Sequence, residues 1–323
     1  MLPVAVDAVG GDKAPGEIVN GARQAVDTLG VPVLLVGPPD RIGDPLGLDV
    51  LACTEVIEMH DDPGSSVRRK KDSSLVRAAE AVRDGKASAM VSAGNTGATM
   101  ASALLRMGRI KGVARPAIAI PIPVLGGTPT VLLDAGANAE VQAEWLVQFA
   151  QMGAAFATAR FGVENPRVGL LSIGEEDTKG TSLVKETNAL LRTTTNVNFV
   201  GNVEGRDLMT DDVDVVVTDG FTGNVALKTL EGGMRFVQKA ILERLTATPE
   251  LAALFEQVWP ALEPLAVELD PDTYGGAMLL GVDGVCIISH GSSSARAIVN
   301  AVAVARDMVA DDLVRHLREA VAV

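Results

Sequence analysis

Short runs of continuous apolar residues alternate with segments in which apolar residues return every three or four positions. Continuous runs are typical of strands covered on both faces, and the longer period is typical of helices that bury one face. The apolar runs predict strands at residues 4–7, 32–36, 89–92, 130–134, 168–173, 198–200, 213–218 and 285–289. The periodic segments predict helices at residues 17–29, 73–84, 97–107, 140–161, 182–192, 224–245, 250–266 and 294–320.

This alternation of strands and helices predicts the fold class. It favours an α/β protein with a doubly wound, mostly parallel sheet lying between two layers of helices. The 323 residues are ample for a large buried core. Neither an internal repeat nor a low-complexity linker divides the chain, so we expect a single α/β domain over residues 1–323.

Residues 226–269 interrupt the alternation and predict a helical hairpin that protrudes from the sheet. Its two apolar stripes are Leu227, Leu230, Met234, Val237, Ile241 and Leu245, then Leu251, Leu254, Val258, Leu262 and Leu265. Phe255 and Trp259, four positions apart, widen the second stripe. Three roles stay open for this apolar surface: packing against the chain's own body, contact with a second copy, or contact with a membrane or a carrier protein.

Small polar turns follow five of the predicted strands. They cover residues 8–12, 93–97, 174–180, 219–224 and 289–294, and each contains glycine and polar residues. Glycine lets the backbone approach a ligand closely, and the helix after each turn offers free N–H groups to an anion. Because the carboxyl ends of parallel strands meet at one edge of a sheet, we expect the five turns to line one polar cleft.

Charge and composition narrow the function. The 28 Lys and Arg and the 41 Asp and Glu give 28 − 41 = −13, and aromatic residues make up only 3% of the chain. A general nucleic-acid binder needs a basic surface or stacking aromatics, so this class is excluded. A bound anion must depend on local cations, which gather at residues 68–71, at residues 106–115 and at Lys179.

Several common kinds of chemistry find no support in the sequence. The dinucleotide fingerprint is absent after the first strand, and the phosphate-loop and Gly-x-Ser-x-Gly patterns are absent too. Cys53 and Cys286 lie far apart in apolar runs, and Cys286 is interpreted as an inert buried thiol. The three histidines lack metal-ligand spacing, so no metal and no cofactor are expected. No leader and no membrane-length apolar run is apparent, which predicts a cytoplasmic protein.

Eight segments are specific enough to compare with a family. They are Val-Asp-Ala-Val-Gly-Gly-Asp at 6–12, Arg-Lys-Lys-Asp-Ser-Ser at 69–74, Val-Ser-Ala-Gly-Asn-Thr-Gly at 91–97, Leu-Asp-Ala-Gly-Ala-Asn at 133–138, Ile-Gly-Glu-Glu-Asp-Thr-Lys-Gly at 173–180, Gly-Asn-Val-Glu-Gly-Arg-Asp at 201–207, Thr-Asp-Gly-Phe-Thr-Gly-Asn-Val at 218–225 and Ser-His-Gly-Ser-Ser at 289–293. In this order they resemble the bacterial phosphate acyltransferase family known as PlsX, over essentially the whole chain.

The resemblance implies a fold like that of phosphotransacetylases and isopropylmalate-type dehydrogenases. It implies transfer of a fatty acyl group from acyl carrier protein to inorganic phosphate, giving acyl phosphate for phospholipid synthesis. It also implies a cofactor-free homodimer, cytoplasmic or loosely associated with the membrane surface, that supplies a membrane glycerol-3-phosphate acyltransferase. Two rivals remain, namely a phosphotransacetylase-like enzyme that uses acyl-CoA and a non-catalytic scaffold that binds an acyl carrier or a membrane.

Phosphate is itself the nucleophile in such a reaction, so the site must position it and stabilise the thioester oxyanion. From the turns and the resemblance together we expect Lys179, His290 and Asn224 to be catalytic, with His290 protonating the departing thiolate or polarising the carbonyl. The residues expected to bind phosphate or substrate are Gly10, Gly11, Asp12, Lys70, Lys71, Ser73, Gly94, Asn95, Thr96, Gly97, Asn138, Glu175, Gly180, Gly220, Thr222, Gly223, Gly291 and Ser292. We expect Arg235 and Lys239 of the hairpin to meet the acidic carrier.

Overall fold

A computed structural model describes residues 1–322, and within that range eleven strands form one continuous sheet. The strands are β1 (Val4–Asp7), β2 (Val33–Gly37), β3 (Asp49–Ala52), β4 (Ala89–Ser92), β5 (Ala117–Ile122), β6 (Thr130–Leu133), β7 (Arg167–Leu171), β8 (Asn198–Val203), β9 (Val215–Val217), β10 (Ala277–Leu280) and β11 (Val285–Ile288).

Eleven α-helices in the same range connect or cover these strands. They are α1 (Gly16–Leu29), α2 (Pro39–Ile42), α3 (Pro63–Arg69), α4 (Ser74–Arg83), α5 (Thr96–Arg106), α6 (Ala143–Phe161), α7 (Ser182–Thr193), α8 (Gly220–Leu245), α9 (Pro249–Glu268), α10 (Ala295–Ala310) and α11 (Leu313–Val321). Two short 3₁₀ helices, Gly205–Met209 and Pro271–Tyr274, precede β9 and β10.

All eight predicted strands are present, with ends that differ by up to three residues, but three further strands were not predicted. Of these, β5 contains Pro121, and its proline-broken apolar run did not satisfy the strand pattern. The predicted helix at 294–320 is in fact two helices, α10 and α11. Asp312 between them has φ +50°, a left-handed backbone conformation that ends the regular helix.

The strands follow the order β3-β2-β1-β4-β11-β10-β5-β6-β9-β7-β8 across the sheet. Seven of the ten neighbouring pairs are parallel, which confirms the doubly wound, mostly parallel α/β fold. The three antiparallel pairs, β11–β10, β10–β5 and β5–β6, all lie at the centre. Because of them, β6 to β9 run opposite to β1, β4 and β11, so the two halves of the sheet point their carboxyl ends in opposite directions.

Alternate strand residues face two separate helix layers. In β1, Val4 and Val6 pack on one face with α1 and α10, whereas Ala5 packs on the other face with α4. In β6, Leu133 lies on the α6 side and Leu132 on the α8 side. Burial on both faces explains why the strand sequences are continuously apolar, and each fully buried Val or Leu side chain contributes about 1.5–3 kcal/mol to folding.

The helical hairpin formed by α8 and α9 is largely uncovered. Only Gly220, Gly223 and Leu227 of α8 are buried, and none of the described residues of α9 is. Phe236 is 73% exposed and Leu254 is 57% exposed, although both are large apolar side chains. Packing against the chain's own body, one of the three roles left open by the sequence, is therefore confined to the first turns of α8.

Among residues 1–322, no helix combines the length and the apolar character that crossing a membrane requires.

Candidate functional site

The carboxyl ends of β1, β4 and β11 meet at one edge of the sheet, which we call the first edge. The turns after β1 and β11 are joined by a hydrogen bond from the Asp12 N–H to the Gly291 carbonyl oxygen, 2.7 Å. Gly10 lies so close to Gly94 in the turn after β4 that a Cβ on Gly10 would fall 2.9 Å from the Gly94 backbone. The first edge brings together Gly10, Gly11, Asp12, Lys70, Lys71, Ser73, Gly94, Asn95, Thr96, Gly97, His290, Gly291 and Ser292.

The amino-terminal turn of α5 is the candidate anion cradle at this edge. Asn95 caps the helix by accepting from the Ala98 N–H at 3.0 Å. Its Nδ2 donates to the carbonyl oxygens of Met59 at 2.8 Å and Asp61 at 3.2 Å. The Asn95 amide is thereby committed to the local fold, so what the turn can offer an anion is the backbone N–H groups of Thr96 and Gly97.

The cations expected at this edge differ in their freedom. The Lys70 ammonium donates to the Val56 carbonyl oxygen at 2.7 Å and to the Asp61 carboxylate at 2.6 Å. The hydrogen bond from Lys70 holds the pKa of the Asp61 carboxyl below its usual range. Lys70 is therefore tied down, whereas Lys71 is exposed and the ion pairs found within residues 1–322 do not include it.

Lys13 is a second exposed cation at the first edge. It was not among the site residues predicted from the sequence. It directly follows the Gly-Gly-Asp turn of β1, and no ion pair within the described residues involves it. Its position immediately after a glycine turn at a strand end is the signal that identifies it.

His290 follows β11 and is exposed. Its Nδ1 lies 2.7 Å from the Ser292 hydroxyl oxygen and accepts from the Ser292 N–H at 3.2 Å. Acceptance of a backbone N–H at Nδ1 favours the tautomer that carries its proton on Nε2. In the imidazolium form Nδ1 instead donates to the Ser292 hydroxyl, and the ring can then give its Nε2 proton to a leaving group at the open side of the site.

The two cysteine thiols of the protein are buried and unreactive. Burial raises the pKa of the Cys286 thiol to about 12 and that of Cys53 to about 11. Neither thiol is a thiolate near neutral pH, so neither is a candidate nucleophile. Within residues 1–322 there is also no group of three or more His, Cys, Asp or Glu side chains arranged to hold a metal ion.

The carboxyl ends of β6, β7 and β9 meet at the opposite edge, which we call the second edge. It carries the other expected residues, Asn138, Glu175, Lys179, Gly180, Gly220, Thr222, Gly223 and Asn224. Asp134 organises the turn after β6, since its carboxylate accepts from five donors: the N–H groups of Ile118, Gly136, Ala137 and Asn138, and the Asn138 Nδ2. The turns after β6 and β9 are then joined by a 2.7 Å bond from the Gly220 N–H to the Asn138 carbonyl oxygen.

The turn containing Lys179 is fixed from beneath. Asn188 donates to the side chains of Asn202 at 2.9 Å and Asp177 at 3.2 Å, and Asp177 also pairs with Arg192. Lys179 remains exposed, with a carboxylate oxygen of Glu176 no closer than 4.0 Å. Beside it, an open cavity of about 610 Å³ is lined by Ala139, Glu140, Val141, Thr181, Leu183, Asp219, Phe221 and Thr222.

The expectation that all five turns line one cleft is wrong. The antiparallel centre of the sheet separates the turns after β1, β4 and β11 from those after β7 and β9. Six strand spacings of roughly 4.8 Å put β7 about 29 Å from β4. Lys179 and Asn224 therefore cannot reach an anion bound at the amino terminus of α5 in the same chain.

The end of the hairpin lies beside the turn that carries His290. After α9, Asp272 accepts from the Ser294 hydroxyl at 2.7 Å, and Asp270 pairs with Arg296. The expected docking residues lie farther along α8, where Arg235 and Lys239 are exposed and form weak pairs with Glu231 at 3.6 Å and Glu243 at 3.8 Å. Such exposed pairs leave both cations accessible to a partner.

Comparisons with known proteins agree with this architecture. The protein-family model described as "Fatty acid synthesis protein" matches residues 2–316. A phosphate acyltransferase of Desulfitobacterium hafniense (strain Y51) is 47% identical over 329 residues, covering 99% of this chain and 97% of that protein. A phosphate acyltransferase of Anaeromyxobacter dehalogenans (strain 2CP-C) is 48% identical over 333 residues, covering 100% of this chain and 91% of that protein. The chain belongs to the fatty acid synthesis protein family, whose relatives here are phosphate acyltransferases.

Solved structures of other proteins share this fold. A phosphotransacetylase from Streptococcus pyogenes aligns with a TM-score of 0.63 at 16% identity, covering 95% of this chain and 94% of the other. A branched-chain phosphotransacylase from Enterococcus faecalis V583 aligns with a TM-score of 0.61 at 14% identity, covering 96% and 99%. At this identity the likeness establishes the fold alone.

Proposed function

We propose that this protein transfers a fatty acyl group from acyl carrier protein to inorganic phosphate, with the reaction at the first edge. The observation that carries the proposal is that the free N–H groups of α5 and the exposed His290 lie at the ends of adjacent strands, β4 and β11. A 2.8 Å bond from the Ser289 N–H to the Ser92 carbonyl oxygen holds these two ends together. The membership of the family of phosphate acyltransferases supports it independently.

In this mechanism the amino-terminal turn of α5 binds phosphate, and His290 protonates the leaving group. The N–H groups of Thr96 and Gly97 bind the phosphate oxygens, with Lys13 and Lys71 supplying nearby positive charge. An oxygen of hydrogen phosphate attacks the thioester carbonyl carbon, the carbon–sulfur bond breaks, and the imidazolium form of His290 gives its Nε2 proton to the departing thiolate. The hydrogen phosphate loses its own proton, which restores the imidazolium, so the products are acyl phosphate and the free thiol and no cofactor is needed.

The decisive experiment offers the purified protein phosphate together with a fatty acyl group on either acyl carrier protein or coenzyme A. We expect acyl phosphate to form from the carrier-bound donor. Formation only from acyl-CoA would replace the proposal by a phosphotransacetylase-like activity. Binding of the carrier without any acyl phosphate would favour the non-catalytic scaffold.

We further propose that the uncovered hairpin packs against the hairpin of a second copy. Helix α8 carries four cations and two carboxylates, 4 − 2 = +2, whereas α9 carries four carboxylates and no cation. An antiparallel pair of hairpins sets the basic helix of one copy against the acidic helix of the other and covers both apolar stripes. Arg235 and Lys239 stay candidates for carrier docking on whatever surface this dimer leaves open.

A second copy is also the route by which Lys179 and Asn224 take part in the reaction. Because both lie at the second edge, they act on phosphate at the first edge only across a subunit boundary. The exposed apolar side chains of the second edge, such as Ile173 at 81% and Phe221 at 66%, are consistent with a surface that another chain covers.

A further inference from the structure

Beneath the proposed phosphate cradle lies a buried carboxyl group that the reaction itself does not use. Asp7, the last residue of β1, is 1% exposed. Burial raises the pKa of its carboxyl, while hydrogen bonds from the hydroxyl groups of Ser92 and Ser74 oppose that rise. A buried carboxyl persists in a protein only where other groups satisfy it, so its partners indicate its purpose.

The main partner of Asp7 is Ser92, the last residue of β4. The Ser92 Oγ lies 2.7 Å from the Asp7 Oδ2 and accepts from the Gly94 N–H at 2.9 Å. A hydroxyl has one proton to give, so acceptance from Gly94 is best combined with donation to Asp7. The three groups form a directed chain of hydrogen bonds that starts at the cradle and ends at a buried carboxylate.

Ser92 also fixes the neighbouring strand end. Its carbonyl oxygen accepts from the Ser289 N–H at 2.8 Å, one residue before His290. One residue thus sets the position of the cradle through its side chain and the position of the proposed proton donor through its backbone. Removal of the side chain alone separates these two effects.

We propose that Asp7 and Ser92 are positioning residues that hold Gly94, and with it the N–H groups of Thr96 and Gly97, in register for phosphate. This inference rests on the proposed function. It assigns no contact between Asp7 and the substrate. The Asp7 carboxyl group orients the Ser92 hydroxyl, and the hydroxyl orients the turn that binds the anion.

The second edge shows that this chain of hydrogen bonds is not a general property of strand ends in this fold. Asp134 directly follows β6, in a position similar to that of Asp7 at the end of β1, and it is equally buried. Its carboxylate, however, accepts from donors of its own turn and from the Ile118 N–H, and within residues 1–322 no serine links it to the next strand end. The relay from Asp7 through Ser92 to the cradle is specific to the first edge.

The test compares Ser92→Ala with Ser102→Ala. Ser102 is also fully buried, and its hydroxyl has no hydrogen-bond partner within the described structure. With phosphate and acyl carrier protein bearing a fatty acyl group, we expect Ser92→Ala to raise the KM for phosphate about tenfold. The KM for the acyl donor stays within about twofold, and Ser102→Ala behaves like the wild type. Direct titration of each protein with inorganic phosphate checks the same loss without turnover.

Two further variants separate positioning from folding. Ser92→Thr keeps the hydroxyl and restores the KM for phosphate, and adding Asp7→Asn to Ser92→Ala raises that KM no further, because both substitutions break one chain. If Ser92→Ala lowers kcat and melting temperature while leaving the KM for phosphate unchanged, the role is structural and the inference is overturned. A wild-type protein that binds phosphate but forms no acyl phosphate refutes the proposed function and leaves the comparison of phosphate affinities intact.

Discussion

The backbone N–H of Asp12 donates to the carbonyl oxygen of Gly291, so the turn after β1 is locked onto the turn that carries His290. Gly11 lies inside this junction with φ +106°. A Cβ there would lie 3.0 Å from the Ala93 carbonyl oxygen and 3.1 Å from that of Gly291. The junction of three strand ends therefore leaves no space for a side chain.

Gly11→Ala is expected to destabilise the protein by about 1–3 kcal/mol, because alanine is strained at this φ and crowds two carbonyl oxygens. Acyl phosphate formation per folded molecule falls as well, since the cradle and His290 are displaced. Thermal melting and activity assays measure the two effects. Gly30→Ala is the control, because Gly30 also has a positive φ of +66° but a Cβ there meets nothing within 4 Å. Equal behaviour of the two variants would contradict the close junction.

His290→Gln is expected to lower kcat by about 10²–10⁴-fold, the range for loss of a general acid, with little change in the KM for phosphate. His316→Gln, at a half-buried position of α11, serves as the matched control. Steady-state kinetics at saturating donor give both parameters. If His290→Gln keeps more than half of the wild-type kcat, the proton comes from another group.

Lys70→Met is expected to lower the melting temperature near neutral pH, because Lys70 tethers Asp61 and the Val56 carbonyl. The pKa of Asp61 is lowered by this bond, so the stabilisation is present above the ordinary carboxyl pKa of about 3.9. It is lost as the pH falls through the lowered value. The difference in melting temperature between wild type and variant therefore disappears at acidic pH. Lys71→Met should leave the melting temperature unchanged throughout, and a gap that persists after Asp61 is protonated would argue against the tether.

Lys179→Ala and His290→Ala homodimers are each expected to have little activity, because each lacks one contributor to every shared site. If the sites form between copies, mixed dimers made by co-expression regain measurable activity, since one of their two sites is intact. Homodimers of the double variant Lys179→Ala/His290→Ala are the control and stay inactive. Full activity of Lys179→Ala alone would remove Lys179 from the reaction, and mixed dimers that stay inactive would place no shared site between copies.

Ile241→Asp is expected to weaken self-association, because Ile241 is 53% exposed and the substitution places a charge in the uncovered apolar stripe of α8. Sedimentation velocity should show a shift from dimer to monomer at micromolar concentration. The control is Glu243→Gln, which changes charge on the same helix without adding it to the stripe. A dimer unaffected by Ile241→Asp, together with lost binding to lipid vesicles or to acyl carrier protein, would assign the stripe to that partner instead.

The helix and strand assignments were accessible to the sequence because buried strands and amphipathic helices leave clear periodic patterns. Strands β3, β5 and β10 were not, and two of them, β5 and β10, run antiparallel to both of their neighbours. Strand direction depends on how distant segments pair, and nothing in the local pattern of Ala117–Ile122 encodes it. The candidate residues were therefore found at strand ends, but their division between two edges required the structure.

The roles of individual polar residues could also be predicted only in part from the sequence. Asn95 and Lys70 have the polar groups that suit a phosphate, yet the side chains of both are hydrogen-bonded to the loop at residues 56–61. That loop has no periodic signature and comes from elsewhere in the chain. Asp7 and Ser92, by contrast, lie in apolar strands, and their sequence positions do not indicate that they form a chain of hydrogen bonds. Such roles depend on which atoms meet across strands.

The order of the strands has a consequence for biosynthesis. β4, which leads into the cradle, needs β11 as its neighbour, and β11 occupies residues 285–288 near the end of the chain. During translation the amino-terminal half emerges with this side of β4 unpaired, an open strand edge that can recruit other chains. The first edge is completed only when nearly the whole protein has left the ribosome, so premature termination before residue 285 yields a product that carries the cradle without its proton donor and is prone to aggregate.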